Sequence, residues 1–224
     1  MNRIDFDEYS EQYEDLMNRQ LGFFEKEEGY FAEYKIEIIE RVIEKEPVKI
    51  LEYGCGVGRN LKYLQEKFPR AEISGCDVSQ KSIEIAIKTN PGVNLFVIGR
   101  DTTDRKYELI LIANVLHHIA PDQRDTNLSY VAQLLMEGGN LFIFEHNPFN
   151  LITRRLVSSC PFDSDAVLLK PQEIHRLLHQ TNLVIKRYGY CMFFPGFLKK
   201  LRKLDQYLNW LPLGGQYYIY AGKP

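Results

Sequence analysis

The stretch that decides the fold is KILEYGCGVGRN, Lys49 to Asn60. An apolar, β-branched run leads into three glycines at alternate positions, Gly54, Gly56 and Gly58. Because glycine adopts left-handed backbone freely and lets a ligand approach closely, this spacing predicts a sharp turn from a buried strand into a helix. Such a turn suits a dinucleotide, a polyphosphate or a nucleoside without phosphate.

Beyond this turn, apolar runs alternate with amphipathic stretches along the whole chain. This rhythm predicts an α/β fold with a doubly wound, mostly parallel sheet. Right-handed crossovers bring the carboxyl ends of its strands to one rim, where a ligand crevice forms. The predicted strands are VKILEYG, AEISGCD, VNLFVIG, YELILIAN, NLFIFEH, LVIKRYGYCMFF and GQYYIYAGK.

Composition excludes several classes of protein. The net charge is −2, so no overall basic field favours nucleic acid as a partner. No apolar run is long enough to span a bilayer, and the polar, acidic N-terminus is unlike a signal peptide. The four cysteines are widely spaced, which predicts reduced thiols in a cytoplasmic protein without a metal site or disulfide framework.

The glycine spacing narrows the choice of ligand. A dinucleotide fingerprint needs its third glycine at position 59, which is Arg59, and the Gly-Lys-Ser/Thr of a phosphate-binding loop is absent. Asp77 follows at the end of the second predicted strand, about 20 residues after Gly54, where a carboxylate accepts hydrogen bonds from both ribose hydroxyls. The turn therefore favours a nucleoside.

These residues resemble the ordered motifs of the class I S-adenosylmethionine-dependent methyltransferases. The motifs are ILEYGCGVGRN, CDVS, RDT, NVLHHI and GGNLFIFEHNPFN, and the likeness extends over residues 30–224. It implies a seven-stranded sheet with a late antiparallel strand and S-adenosylmethionine as the cofactor. By this resemblance, the residues around the donor are Glu52, Tyr53, Gly54, Cys55, Gly56, Asp77, Val78, Asp101, Thr102 and Asn114.

Histidines at the predicted rim are candidates for proton transfer. A hydroxyl acceptor has to lose its proton, and imidazole has a pKa near neutrality. His117 and His118 follow the fourth strand and His146 follows the fifth, with Glu145 placed to orient a histidine. Each could instead be a packed or solvated residue. His175 and His179 lie four apart on a predicted helix, and we expect surface positions for them.

The resemblance also divides the chain into residues 1–46, a helical lid segment, and residues 47–224, the methyltransferase domain. Tyr9 and Tyr13 are candidate lid residues, or else a hydrophobic staple on the surface. A substrate-side insertion with little periodicity is expected at about residues 147–170. Its length indicates a lid or a wall of the acceptor site.

Residues 197–211 form a basic amphipathic stretch in which apolar residues recur at helical spacing among lysines. Two interpretations stay open. The apolar stripe covers the sheet or another subunit, as in most amphipathic helices, or the stretch rests on a membrane surface as a peripheral contact.

The sequence therefore predicts methyl transfer to a hydroxyl of a small molecule, sugar or glycan, or lipid-linked intermediate, with no nucleic acid involved. One alternative is carbon methylation of a quinone-like ring, which needs little general-base help. Another is a nucleoside-binding subunit without catalysis. Methylation of RNA or protein is disfavoured by the acidic charge balance, and a nicotinamide oxidoreductase by the glycine spacing. The oligomeric state stays open.

Overall fold

The computed structural model describes residues 6–9, 29–100 and 105–224. Its strands are β1 Lys49–Tyr53, β2 Glu72–Asp77, β3 Asn94–Val97, β4 Tyr107–Ala113, β5 Leu135–His146, β6 Val184–Cys191 and β7 Gln216–Gly222. They form a seven-stranded sheet in the order β3-β2-β1-β4-β5-β7-β6. Neighbours from β3 to β5 pair in parallel, and β7 is antiparallel to both β5 and β6. The predicted fold class is confirmed.

Helices cover both faces of this sheet. They are α1 Phe6–Tyr9, α2 Tyr30–Val42, α3 Leu61–Lys67, α4 Gln80–Thr89, α5 Arg124–Leu134, α6 Leu151–Ser159, α7 Pro171–Gln180 and α8 Asp205–Leu208. Short 3₁₀ segments are Leu116–His118, Pro121–Gln123, Pro161–Asp163 and Gly196–Leu204. One apolar core lies between the sheet and α5 with α7, and the other lies under α2, α3 and α4. The carboxyl ends of β1, β2, β4 and β5 meet at one rim.

One local expectation differs from the structure. The segment after β5, expected to have little periodicity, contains α6, whose first turn is capped by Asn150 Oδ1 accepting from the Thr153 amide at 2.9 Å. The helix before β5 ends at Leu134, because Leu135 already pairs with Tyr107 of β4. Ladder hydrogen bonds to β4 outweigh helix propensity there.

The four cysteines are buried, and none of them forms a disulfide. Among the described residues, no helix combines the length and the apolar character needed to cross a bilayer.

The glycine turn yields a stability prediction with a matched control. Gly58 has φ +87°, and a Cβ there would lie 2.4 Å from Asn90 Nδ2, whereas Gly138, at φ +74°, has nothing within 4 Å of a Cβ. Left-handed backbone alone costs an L-residue about 1–2 kcal/mol, and overpacking adds about 1–3 kcal/mol. In urea unfolding, Gly58→Ala is expected to lose clearly more stability than Gly138→Ala. Equal losses would contradict close packing of the turn on α4.

Candidate functional site

The glycine turn opens the rim at the end of β1. The amides of Gly54 and Cys55 donate to the Cys76 carbonyl at 2.7 and 2.9 Å, which ties the turn to β2. A Cβ on Gly54 would meet Val115 Cγ2 at 2.5 Å, whereas one on Gly56 would meet nothing within 4 Å. The backbone is therefore packed at Gly54 and open at Gly56, where a ligand can lie against it.

Asp77 lies beside this opening. One carboxylate oxygen accepts from the Gly56 amide at 2.8 Å and the other from the Ser79 amide at 2.9 Å. Burial raises the pKa of Asp77 despite these hydrogen bonds. The next residue, Val78, is 62% exposed. A carboxylate next to an exposed apolar side chain matches what a ribose and the face of a base need.

Glu52 supplies a second carboxylate, on β1 below the turn. It is buried, and one oxygen accepts from Asn60 Nδ2 while Oε2 has no hydrogen-bond partner among the described residues. Burial raises its pKa to about 8, opposed by the amide of Asn60 and the charge of buried Lys35 on α2. A buried acceptor without a partner is costly, so Oε2 suits a polar or cationic group of a ligand. The donor S-adenosylmethionine, whose amino acid end carries an ammonium group, fits this set of residues.

The side chains of three expected donor-site residues have partners within the protein. The Tyr53 side chain is buried in the core beneath β1, where its hydroxyl donates to Asn127 Oδ1 at 2.9 Å. The Cys55 thiol packs on Gly75, also inside. Side chains alternate along β1, which turns Tyr53 into the core, and Cys55 packs against β2 from the glycine turn, so the backbone of both residues lies at the rim. Asn114, at φ +59°, is at the rim, but its Oδ1 already accepts from Gln216 Nε2 at 3.0 Å.

The remaining donor and lid expectations fall largely outside the described residues. Asp101, Thr102 and Tyr13 are not described, and of Tyr9 only the backbone is, at the end of α1. The start of α1 nevertheless reaches the rim. Asp7 Oδ1 accepts from Ser79 Oγ at 2.5 Å and from the Lys81 amide at 3.2 Å. The Phe6 ring packs edge-on against His118 with centroids 5.0 Å apart, so α1 connects the loops after β2 and β4.

His117 and Glu145 form a buried pair at the ends of β4 and β5. His117 Nδ1 lies 2.6 Å from Glu145 Oε2, and Glu145 Oε1 accepts from the amides of Val115 and Leu116 at 3.1 and 2.7 Å. Burial disfavours the charge on both residues, but the effect of their charged partners is larger. Glu145 and Asp163 raise the pKa of His117 to about 9. His117 in turn lowers the pKa of Glu145. His117 is therefore an imidazolium at neutral pH. Its ring is 1% exposed, so it does not reach an acceptor.

Asp163, which the sequence analysis did not single out, joins the two adjacent histidines. Its Oδ1 lies 3.8 Å from His117 Nε2 and 3.3 Å from His118 Nε2. Burial opposes its charge, but both histidines hold the pKa of Asp163 well below its usual range. These three atoms lie within 4.8 Å of one another and are of types that bind zinc. The proton on His117 competes with a metal ion for Nε2.

His146 is the third histidine of this cluster. It is half-buried at the end of β5, with its centroid 5.0 Å from that of His117. Burial and the positive charge of His117 lower the pKa of His146 to about 4. At neutral pH the rim thus presents a neutral imidazole beside a buried imidazolium.

A buried arginine holds the turn that carries His117 and His118. Arg124 Nε donates to the carbonyls of Leu116 and Ile119 at 3.1 and 3.0 Å, and Nη2 donates to the Val167 carbonyl at 2.7 Å. Its remaining nitrogen pairs with Glu173 at 2.6 Å. An arginine in a polar helical stretch gives no sequence signal of burial, because its partners come from 5 to 49 residues away.

Comparisons with known proteins agree with this geometry. Residues 51–141 match the family described as Methyltransferase domain. The demethylmenaquinone methyltransferase of Thermotoga maritima is 31% identical over 149 residues, which cover 65% of this chain and 61% of that protein. The chain thus spans less than two thirds of the length of the first curated relatives that it matches.

Solved structures show the same fold. A methyltransferase of Archaeoglobus fulgidus that depends on S-adenosylmethionine superposes with a TM-score of 0.71 at 15% identity, covering 94% of this chain and 100% of that one. A Thermotoga maritima protein described as a possible histamine N-methyltransferase has a TM-score of 0.68 at 16% identity, covering 98% of each chain. The domain match and the sheet order confirm the expected fold, and they agree with the resemblance to the class I S-adenosylmethionine-dependent methyltransferases.

The buried imidazolium predicts a specific pH dependence of stability. His117 has a pKa of about 9 in the folded protein and 6.5 as its ordinary value, so it stabilises fully below pH 6.5. The charged ring contributes about 3 kcal/mol to the free energy of unfolding, and this contribution is lost as the pH rises through 9. Glu145 and Asp163 stay ionised over the same pH range. In urea unfolding, the stability gap between wild type and His117→Gln is expected to shrink between about pH 6 and about pH 9.5. A constant gap would contradict a charged His117.

Proposed function

We propose that this chain transfers the methyl group of S-adenosylmethionine to a hydroxyl of a small molecule, sugar or lipid-linked intermediate. The observation that carries the proposal is the neutral, half-buried His146 next to the imidazolium of His117. An acceptor hydroxyl needs a group to take its proton, and its oxygen gains from a nearby positive charge as that proton leaves. In this proposal the four free cysteines accord with a cytoplasmic location.

In this proposal the donor supplies an activated methyl group, and the chain positions it. Asp77 accepts from the ribose hydroxyls, Val78 lies along the adenine, and the free oxygen of Glu52 receives the ammonium group. The open backbone at Gly56 allows close approach. Asp101, Thr102, Asn114, Tyr9 and Tyr13 stay proposed donor-side or lid residues.

On the acceptor side, we assign His146 the role of general base. Glu145 and Asp163 keep His117 charged, and Glu145 fixes the turn after β4 through the Val115 and Leu116 amides. His117 and Glu145 are thus positioning residues. His118 lies between Asp163 and Phe6, where it joins the turn to α1. No metal ion is needed for this arrangement of charges.

Carbon methylation of a quinol ring is the second candidate. It is favoured by the 31% identity with a protein named demethylmenaquinone methyltransferase. A ring carbon next to a phenolic hydroxyl becomes nucleophilic when that hydroxyl loses its proton, so the same histidine would assist. The two candidates differ in the atom that carries the new methyl group.

The donor assignment predicts a binding result. Removing a charge-assisted contact costs about 1.5–3 kcal/mol, so Asp77→Ala is expected to weaken binding of S-adenosylhomocysteine by about 10- to 100-fold. Isothermal titration calorimetry with S-adenosylmethionine, S-adenosylhomocysteine and NADH measures this, with exposed Asp122→Ala as the control. Binding of NADH without either sulfur nucleoside would overturn the donor assignment.

The base assignment predicts a rate result. Incubation with labelled S-adenosylmethionine and a panel of nucleotide sugars, polyprenyl-linked sugars and naphthoquinols, read by mass spectrometry, identifies an acceptor and the methylated atom. With that acceptor, His146→Gln is expected to lower kcat by about 100-fold or more while donor affinity stays unchanged. His179→Gln, on the exposed side of α7, is the control.

The wild-type rate is expected to rise as the pH increases through 4, because His146 loses its proton there. It is expected to fall above pH 9, because His117 then loses its proton. Addition of EDTA is expected to leave the rate unchanged. A fully active His146→Gln variant would contradict the base assignment. Loss of activity with EDTA that zinc restores would instead assign His117, His118 and Asp163 to a metal ion. Donor binding without turnover of any acceptor in the panel would favour a non-catalytic nucleoside-binding subunit.

A further inference from the structure

The segment Gly196–Leu208 has its polar anchors inside and its leucines outside. Arg202 points inward, pairing with Glu37 at 2.6 Å, with its guanidinium 5.0 and 4.8 Å from the ring centroids of Tyr30 and Tyr34. Asp205 is buried and accepts from the Tyr34 hydroxyl at 2.6 Å and from the Met192 amide at 2.9 Å. A charged pair of anchors therefore fixes the segment to α2 and β6.

Most of the other side chains of this segment are exposed, including its large apolar ones. Leu201 and Leu204 are 41% and 46% exposed, and in the 3₁₀ stretch only Gly196 is buried. The chain continues with exposed Tyr207, Trp210 and Leu213, of which Trp210 is 72% exposed. Leu201 and Leu204 thus do not cover the sheet, which excludes that part of the first interpretation of this stretch. We call these five side chains the outer apolar face: Leu201, Leu204, Tyr207, Trp210 and Leu213.

The exposed charged residues within 196–215 have one sign. Lys200 and Lys203 are exposed between the leucines. The sequence from residue 196 to 215 contains a single acidic residue, Asp205, which is buried against Tyr34. Apolar side chains interspersed with lysines and free of exposed carboxylates suit a surface of anionic headgroups over hydrocarbon.

The outer apolar face adjoins the rim of the site. Asn150 Nδ2 donates to the Leu213 carbonyl at 2.7 Å, and Asn147 Nδ2 donates to the Pro212 carbonyl at 3.1 Å. Leu151 and Ile152, which follow Asn150, are also exposed. Hydrogen bonds thus tie the end of this face to the loop that follows His146.

We propose that the outer apolar face, with Lys200 and Lys203, docks this protein on an anionic membrane surface. The leucines and Trp210 enter the headgroup region, and the lysines meet lipid phosphates. Docking would place the loop after His146 near the bilayer, where a lipid-linked acceptor resides. The docking itself is independent of the proposed methyl transfer, because it rests on the surface of the folded chain alone.

Trp210 is the protein's single tryptophan, so its fluorescence reports on this face directly. Full-length protein, without donor or acceptor, is mixed with vesicles of phosphatidylcholine alone or with added phosphatidylglycerol. We expect a blue shift of the emission and co-sedimentation with the anionic vesicles, both reduced by salt. The variants Leu201→Ser/Leu204→Ser and Lys200→Glu/Lys203→Glu are each expected to weaken vesicle binding by about tenfold or more.

The matched control is Ile87→Ser/Lys88→Glu, which changes an exposed apolar residue and a lysine on α4, away from this face. It is expected to bind as wild type. Circular dichroism and urea unfolding establish that each variant folds. Vesicle binding that the leucine and lysine variants leave unchanged, or no blue shift with anionic vesicles, would overturn the proposal. A dimer in analytical ultracentrifugation that Leu201→Ser/Leu204→Ser dissolves would overturn it too, by assigning the face to a second copy.

Discussion

The candidate site depends on one buried carboxylate. Glu145 ends β5 without solvent exposure, and three donors surround it: two amides of the turn after β4 and the ring of His117. Removing one partner of such a buried pair costs about 3–5 kcal/mol, because the other charge stays behind without compensation. The strands are parallel neighbours, so their carboxyl ends are already close. The hydrogen bonds of Glu145 then hold the turn after β4 in one position.

The remaining charges follow from that pair. Burial lowers the pKa of His146, and the proton that Glu145 and Asp163 hold on the neighbouring His117 lowers it further, so His146 is kept neutral. Two imidazoles 5.0 Å apart are thus in opposite protonation states at the same pH. A site built this way offers both a proton acceptor and a fixed positive charge, which is the pairing that deprotonation of a hydroxyl requires. Arg124 stabilises the same turn by donating hydrogen bonds to two of its carbonyls.

Polar anchors also decide which surfaces face outward. In most amphipathic helices the apolar stripe is buried, because burial of apolar area is the main stabilising term. In Gly196–Leu204 the ion pair and ring contacts of Arg202 and the hydrogen bonds of Asp205 orient the segment the other way. The sheet beneath is covered by α2, and Tyr34 completes that packing. Leu201 and Leu204 are therefore exposed and available for contact with a surface outside this chain.

The sequence by itself determined the order of strands and helices, the glycine turn and the rim on which Asp77, His117 and His146 lie. These features depend on local periodicity, glycine conformation and the handedness of crossovers, which residues close together in the sequence determine. Only the tertiary structure decided which histidine is charged, that Asp163 and Arg124 join the site, and that the Tyr53 and Cys55 side chains face the core. The same holds for the outward leucines of residues 196–204. Each of these depends on burial and on partners distant in the chain, such as Glu145 lying 28 residues from His117. No local pattern encodes the electrostatic environment that such partners create.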